Sequence, residues 1–248
     1  MMHVWEWDLC DNIFFSGIYY AENECANALR LLSFHKKCSK YLQIPQERGK
    51  NGMKQDEIRS RLIDGTIHII ACEGMDKATT KQISKATSMN EAYIYRCFAD
   101  KEDMLAKTFV SLDDELADTF AQQIPGMYNG ELPFEQRCRN LFFGMWNFLL
   151  GNKEKCLTYV RYYYSPYFTR NSFEDHRKRF WPLVNTLRIV FKDEADVWMI
   201  LNHILNVMLS FAVLVHNGHM SEGDDYAEHV FRVIYRSVDQ YFREPEEE

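Results

Sequence analysis

The chain is long enough to build one large domain or two small ones. Its 248 residues are 46% hydrophobic and 15% aromatic, with only 6 Pro and 11 Gly, which excludes collagen-like, low-complexity and disordered chains. The formal net charge of −7 argues against a protein that coats nucleic acid without specificity. Acidic residues exceed basic ones only in residues 108–248, whereas residues 1–52 and 53–107 are each balanced. Long patterned stretches with little Gly or Pro predict an all-α protein.

The motifs of catalysis, cofactor binding and secretion do not occur in the sequence. It contains no Gly-rich phosphate loop, no G-x-S-x-G and no H-E-x-x-H, so we expect no enzyme and no cofactor. The seven cysteines form no C-x-x-C pair and predict thiols without a metal site or disulfide framework. The first eight residues lack the basic and apolar regions of a signal peptide, so we expect a cytoplasmic protein.

Residues 1–52 differ from the rest of the chain. They are rich in aromatic residues without a sustained period, and they end in the linker-like stretch 45–52 before Met53. Codons for Glu47-Arg48-Gly49 can be purine-rich, as in a bacterial ribosome-binding site. Two interpretations stay open: translation begins at Met53, or residues 1–52 form an N-terminal arm or small module. A mass spectrum of the natively expressed protein distinguishes them.

A helical pattern begins after Met53. Apolar residues at threes and fours predict a first helix that ends at Gly74. Polar caps then predict a short second helix, a tight turn, a short third helix, and a long fourth helix that ends at about Gln123. This order is typical of a helix-turn-helix. The predicted caps are Thr79 or Thr80, Asn90 and Asp100, and the predicted core residues are Ile83 and Phe98.

The stretch from Gly74 to Leu105 resembles the DNA-binding domain of the TetR family of transcriptional repressors. The resemblance covers about residues 56–106, and its most specific part is Tyr95-x-x-Phe98 followed by Lys101-Glu102-x-x-Leu105. It implies that residues 53–100 form a DNA-binding domain. It also implies that residues 101–248 form an all-helical ligand-binding and dimerisation domain.

The DNA-contacting residues follow from this resemblance and from the chemistry of DNA. A recognition helix presents short polar residues to base edges, while hydroxyls, Lys and Arg contact phosphates. The candidates are Thr79, Thr80, Lys81, Asn90, Glu91, Ala92, Tyr93, Tyr95, Arg96 and Lys101. Alternatives stay open for three of them: Tyr95 packs in the core, Glu91 only complements a helix N-terminus, and Lys101 is only solvated.

Three sites depart from the family pattern. Gly65-Thr66 replaces a small Ala pair, Thr87-Ser88-Met89 replaces Ala-Gly-Val in the turn, and Cys97 replaces a hydrogen-bonding residue. Ser88 must then adopt a conformation that Gly usually supplies, which short polar residues tolerate. The balanced charge of residues 53–107 predicts modest non-specific affinity, because the phosphate contribution scales with the cations engaged.

The rest of the chain predicts further helices, at about 133–151, 153–165, 172–191, 194–217 and 222–243, with residues 124–132 as a loop. Val197–Val215 carries no charge, but three polar residues share one of its faces and its flanks lack Lys and Arg. We therefore expect a buried helix and no membrane partner. The helices at about 194–217 and 222–243 have wider apolar faces than one core needs, which predicts a homodimer through them.

The family resemblance also implies an unknown small-molecule effector. An aromatic pocket with few polar groups suits an apolar ligand. The candidate ligand-binding residues are Phe142, Trp146, Tyr159, Tyr163, His203 and Asn206. The alternative is that these aromatic residues are core and that Asn202 and Asn206 only join helices.

The sequence therefore predicts a ligand-responsive repressor that binds a palindromic double-stranded DNA operator as a homodimer. The alternative is a helical protein- or ligand-binding module, or a thiol or metal sensor, whose helix-turn-helix has lost operator reading. The balanced charge and Cys97 motivate this alternative. Replacement of Cys72 and Cys97 would test a sensor role for the thiols.

Overall fold

A computed structural model describes residues 54–243. The expectations for residues 1–52 and for the acidic tail lie outside the described residues. The described part is all-α, as predicted, with an isolated bridge between Phe191 and Phe242. Its helices are α1 (Gln55–Glu73), α2 (Thr80–Thr87), α3 (Ala92–Cys97), α4 (Lys101–Gln123), α5 (Phe134–Gly151), α6 (Lys153–Tyr163), α7 (Pro166–Asn171), α8 (Phe173–Leu187), α9 (Val197–His216) and α10 (Asp224–Val238).

In the head, residues 54–100, local residues determine where the helices begin and end. Helix α1 ends at Gly74, whose φ of +94° favours glycine and whose N–H donates to the Ile70 carbonyl. Thr79 caps α2 by accepting a hydrogen bond from the Gln82 N–H at 3.2 Å. These two signals confirm the predicted end of the first helix and start of the second.

The turn of the helix-turn-helix contains a residue in the left-handed conformation, as it would with the usual glycine. Ser88 lies in the left-handed region with φ +54° and ψ +33°, the position where the family usually has Gly. The Met89 N–H donates to the Ser84 carbonyl at 3.0 Å and closes the turn. Serine therefore supplies the conformation, at a cost of roughly 1–2 kcal/mol for a residue with a Cβ.

Gly65 in α1 packs directly against this turn. A methyl group added at Gly65 would overlap Cγ2 of Thr87, which is itself buried. At these two positions, where the family usually has Ala, this chain has Gly65, which lacks the methyl group, and Thr87, which adds a methyl and a hydroxyl group. Gly65 and Thr87 are therefore sterically complementary, although Gly65 lowers the helix propensity of α1.

Helix α4 joins the head to a bundle formed by residues 101–243. Its start is fixed by a reciprocal pair of caps: Asp100 accepts from the Asp103 N–H at 2.8 Å, and Asp103 accepts from the Ala99 N–H at 3.0 Å. Met104 and Leu105 are fully buried near the head, and Leu116 is buried further along the helix. One continuous helix thus connects the two cores.

The bundle differs from the predictions in four places. The predicted helices at 172–191 and 222–243 are α-helical only to Leu187 and Val238, and a short 3₁₀ helix follows each. The predicted loop at 124–132 begins with a 3₁₀ helix, Ile124–Tyr128, because Pro125 fits the first turn of a helix, where no N–H donor is needed. The predicted helix at 153–165 stops at Tyr163, and a separate short helix, Pro166–Asn171, follows.

Asp113 is a completely buried carboxylate at the centre of the bundle. It accepts hydrogen bonds from the Tyr159 hydroxyl at 3.0 Å, from Nδ1 of His176 at 2.9 Å, and from Arg179 at 2.5 Å. These contacts join α4, α6 and α8. Burial first, and then the Asp113 carboxylate, raise the pKa of Tyr159 well above its ordinary value.

Candidate DNA-binding surface and effector cavity

Helix α3 presents one face to the core and another to solvent. Ile94 and Phe98 are buried, whereas Tyr95 between them is 61% exposed. This exposure rules out the alternative interpretation that Tyr95 is a core residue. Its hydroxyl stays available as a hydrogen-bond donor at the surface.

The two threonines at the start of α2 have different roles. The Thr79 oxygen accepts from the Gln82 N–H, which leaves its hydroxyl proton for an external acceptor such as a phosphate. The Thr80 hydroxyl donates to the Glu91 carboxylate at 3.2 Å, so its proton is already engaged. Thr80 and Glu91 thereby tie the start of α2 to the start of α3.

The start of α3 is also arranged by local hydrogen bonds. Asn90 Oδ1 accepts from the Ala92 N–H at 2.9 Å, which leaves the amide nitrogen of Asn90 as its outward donor. The Arg96 guanidinium lies 5.5 Å from the Tyr93 ring centroid, within the range of a cation–π contact. Asn90, Ala92 and Arg96 are exposed, and Tyr93 is half-buried.

The lysines differ in their surroundings. Lys81 is exposed on α2. Lys101 is half-buried and follows Asp100, with Glu102 and Asp103 next to it.

A cavity of about 120 Å³ lies inside the bundle, between α4, α5, α8, α9 and α10. Its lining is almost entirely apolar. An apolar cavity of about 150 Å³ stays dry and can hold a benzene-sized molecule, so this cavity suits a group of similar size. Its wall includes Leu116, Phe120, Cys138, Leu141, Phe142, Met145, Phe180, Val184, Trp198, Leu205, Met208, Phe231 and Ile234, together with the polar His176 and Asn202.

His176 places a polar group on this apolar wall. Its Nδ1 is bonded to Asp113, so Nε2 is the ring nitrogen left for a ligand. The amide of Asn202 is engaged, because it donates to the Trp198 carbonyl and accepts from the Tyr163 hydroxyl. The cavity therefore offers much apolar surface and one ring nitrogen, and Tyr235 is a further lining residue with a polar group.

Of the candidate ligand-binding residues, Phe142 lines this cavity. Trp146 is buried behind it, with its ring 5.6 Å from the Phe142 ring. Tyr159 is bonded to Asp113, and Tyr163 stacks on Tyr159 with 5.9 Å between ring centroids. These three aromatic residues pack around the cavity without forming its wall.

The two polar candidates lie elsewhere on α9. His203 is exposed and bonded through Nε2 to Ser237 of α10 at 3.0 Å. Asn206 accepts a hydrogen bond from the Tyr164 hydroxyl. Sequence reasoning did not single out His176, because nothing in the local sequence distinguishes it from any other histidine on a helix.

The outer face of α9 is unusually apolar for a surface, whereas the exposed residues of α10 are mostly polar or charged and include the apolar Val233. Helix α9 is long and apolar enough to cross a membrane, with a mean hydropathy of 1.8, and 28% of its most apolar stretch is buried. Met199 on α9 and Val233 on α10 are 55% and 57% exposed. Each lies one helical turn before a partner in the hydrogen bond between His203 and Ser237, which joins the two helices at the surface.

A compact head whose α3 carries exposed side chains, joined to a helical bundle with an apolar cavity, is the architecture of helix-turn-helix transcription regulators. Residues 62–108 match the family model described as bacterial regulatory proteins, tetR family. The chain thus contains the helix-turn-helix of the TetR family and has the fold of TetR-family regulators.

Solved structures of bacterial regulators share this fold at low sequence identity. A TetR family regulator from Marinobacter aquaeolei VT8 matches with a TM-score of 0.62 and 18% identity, over 73% of this chain and 95% of that one. A putative TetR family regulator from Vibrio parahaemolyticus matches at 0.55 and 22%, over 75% and 99%. The regulator FadR from Bacillus subtilis, in complex with stearoyl-CoA, matches at 0.55 and 17%, over 71% and 96%. No curated protein matches the sequence.

Proposed function

We propose that the protein is a cytoplasmic, ligand-responsive repressor that binds a palindromic operator as a homodimer. The observation that carries the proposal is the exposed face of α3 on a TetR-family head. In this proposal residues 53–100 are the DNA-binding domain and residues 101–248 the ligand-binding and dimerisation domain. Tyr95 and Thr79 donate to phosphates, and Asn90 donates through its amide nitrogen to a base edge.

The dimer in this proposal forms through the outer faces of α9 and α10. A largely unburied apolar helix is explained by a second copy of the chain that covers it. A two-fold axis brings the same patch of both copies together. The patch of the second copy would then cover Met199, Val233 and the His203–Ser237 pair. Two heads related by this axis then read half-sites about one helical turn apart.

The effector in this proposal is an apolar molecule with one polar group. The apolar wall binds its hydrocarbon part, and Nε2 of His176 binds the polar group. The match with a FadR that was solved with stearoyl-CoA supports an apolar ligand on this fold. Binding shifts the population between DNA-competent and DNA-incompetent states of the dimer.

The DNA part is tested by mobility shift with the full chain and the intergenic DNA upstream of its own gene, across a salt series. We expect Tyr95→Phe to weaken specific binding about 10- to 100-fold, the range for one hydrogen bond to a charged group, with no change in the salt slope. Lys81→Ala should lower the slope by about 0.9, because one phosphate contact is lost. Trp181→Ala, an exposed aromatic on the bundle, is the control.

A folded dimer with no specific shift would contradict the operator proposal. It would instead favour the alternative of a helical binding module with a repurposed head. The dimer is tested separately by sedimentation, where Val233→Glu should give a monomer and Ile189→Glu, an equally exposed apolar site outside this face, should not.

The effector part is tested with linear primary alcohols of increasing length as probes of operator release, because their hydroxyl can donate to Nε2 of His176. Val184→Phe places a ring in the cavity, so this variant should still bind the operator but resist release. Release that is unchanged in Val184→Phe would place the effector outside the cavity.

A further inference from the structure

Three potential metal ligands meet where the head packs against the bundle. His68 and Cys72 lie on α1, and Glu154 lies at the start of α6. Nδ1 of His68 is 3.0 Å from the Glu154 carboxylate and 3.8 Å from Sγ of Cys72. All three ligand atoms lie within 4.8 Å of one another.

The chemistry of this cluster matches zinc. One imidazole nitrogen, one thiolate sulfur and one carboxylate oxygen are the three ligand types that Zn²⁺ takes, whereas Ca²⁺ and Mg²⁺ prefer oxygen alone. A tetrahedral zinc with bonds of about 2.0–2.3 Å holds its ligands about 3.3–3.6 Å apart. The distances from His68 Nδ1 to Glu154 and to Cys72 bracket this range, so small side-chain movements would close the site.

The positions of the ligands allow a metal to enter. His68 and Cys72 are four residues apart and share one face of α1. Cys72 and Glu154 are exposed and His68 is half-buried, so an ion can approach from solvent. Three protein ligands also leave a fourth position for water.

We propose that His68, Cys72 and Glu154 form a zinc site that joins the head to the bundle. This proposal is independent of the proposed repressor function, because it concerns binding of the metal alone. The same two helices are already joined below the site, where the Thr158 hydroxyl donates to the Ile67 carbonyl at 2.9 Å and Arg161 donates to the Ile70 carbonyl. A bound zinc ion extends this row of contacts with bonds to both helices.

The test is a zinc titration of the full-length, reduced, chelator-stripped protein against a chromophoric zinc chelator. The wild type should bind one more equivalent than Cys72→Ser and His68→Gln. Loss of a direct ligand should weaken zinc at this site more than the roughly 10- to 100-fold that loss of an outer partner costs. The matched controls are Cys97→Ser and His219→Gln, which should bind zinc as the wild type does.

Two further readouts separate a metal site from an ion pair between His68 and Glu154. Cobalt bound to the wild type should give a thiolate charge-transfer band that Cys72→Ser loses and Cys97→Ser keeps. Zinc should raise the thermal midpoint of the wild type, but not that of Glu154→Gln, which lacks the ligand on α6. Equal zinc affinity in the wild type, Cys72→Ser and Glu154→Gln would overturn the proposal.

Discussion

The head has no room for one more methyl group at Gly65, whereas the bundle contains a cavity of about 120 Å³. The two regions also differ in what they bury. The buried polar residues of the described head, 54–100, are the threonines Thr66 and Thr87, whereas the bundle buries Asp113, His176 and His216. Tight packing holds exposed side chains in fixed positions for a rigid target. The looser bundle leaves unfilled space between apolar side chains.

The largest expected effect tests the buried charge of the bundle. Asp113→Asn should lower the free energy of unfolding by about 3–5 kcal/mol, because it leaves Arg179 and His176 without their buried carboxylate. Denaturant unfolding measures this loss. Asp114→Asn is the control, since Asp114 is exposed and also bonded to Arg179, and it should cost at most about 1 kcal/mol. Equal losses in both variants would contradict a special role for Asp113.

The next effect tests the tight packing of the head. Gly65→Ala should lower the free energy of unfolding by about 1 kcal/mol, because overpacking of about 1–3 kcal/mol exceeds a helix-propensity gain of about 1 kcal/mol. Thr87→Ser removes Cγ2 and keeps the hydroxyl bonded to the Ile83 carbonyl. A double-mutant cycle should therefore give a favourable coupling of about 1 kcal/mol or more. Additive effects would show that Thr87 does not restrict Gly65.

The matched change in the bundle adds the same methyl group to the cavity wall. Val184→Ile should be neutral or raise the free energy of unfolding by up to about 0.8 kcal/mol, the value of one buried CH₂. Thermal and denaturant unfolding measure this change in the free energy of unfolding, with Gly65→Ala measured under the same conditions for comparison. A loss as large as that of Gly65→Ala would mean that the cavity does not accept added volume.

The smallest effect at neutral pH concerns His216, at the end of α9. Its Nε2 donates to the Leu149 carbonyl at 3.0 Å, and burial lowers the pKa of His216 below its ordinary value. The unfolded chain therefore binds this proton more readily, so stability is full above about pH 6.5 and falls as the pH drops below it. His216→Gln should reduce this acid loss and change little at pH 8. If His216→Gln and the wild type lose stability equally at acidic pH, His216 is not a source of the acid sensitivity.

The head could be predicted from sequence because its signals are local. Gly74, Thr79 and Asp100 each fix a helix end through groups no more than four residues away. Tyr95 is exposed because Ile94 on the same short helix and Phe98 directly after it take the core positions. The pairing of Gly65 with Thr87 could not be predicted, since the two residues come together only when α1 packs on the turn.

The cavity could not be predicted for a related reason. Its wall collects residues from Leu116 to Phe242 on several helices, and in sequence each of them resembles ordinary core. Phe142 was found because the aromatic cluster on α5 is large. His176 was missed because its role depends on Asp113, which lies 63 residues earlier in the chain.

Helix α9 lies between the cavity and the proposed dimer face, so it could couple the cavities of the two copies. Trp198, Leu205 and Met208 on one side of α9 line the cavity, and Met199 and His203 face outward on the opposite side. In a dimer through this face, the two cavities are separated by two adjoining helices, each about 10 Å across. A ligand that displaces α9 in one copy therefore displaces the contact surface of the other. Titration of the dimer should then deviate from a simple hyperbola, with a Hill coefficient different from one.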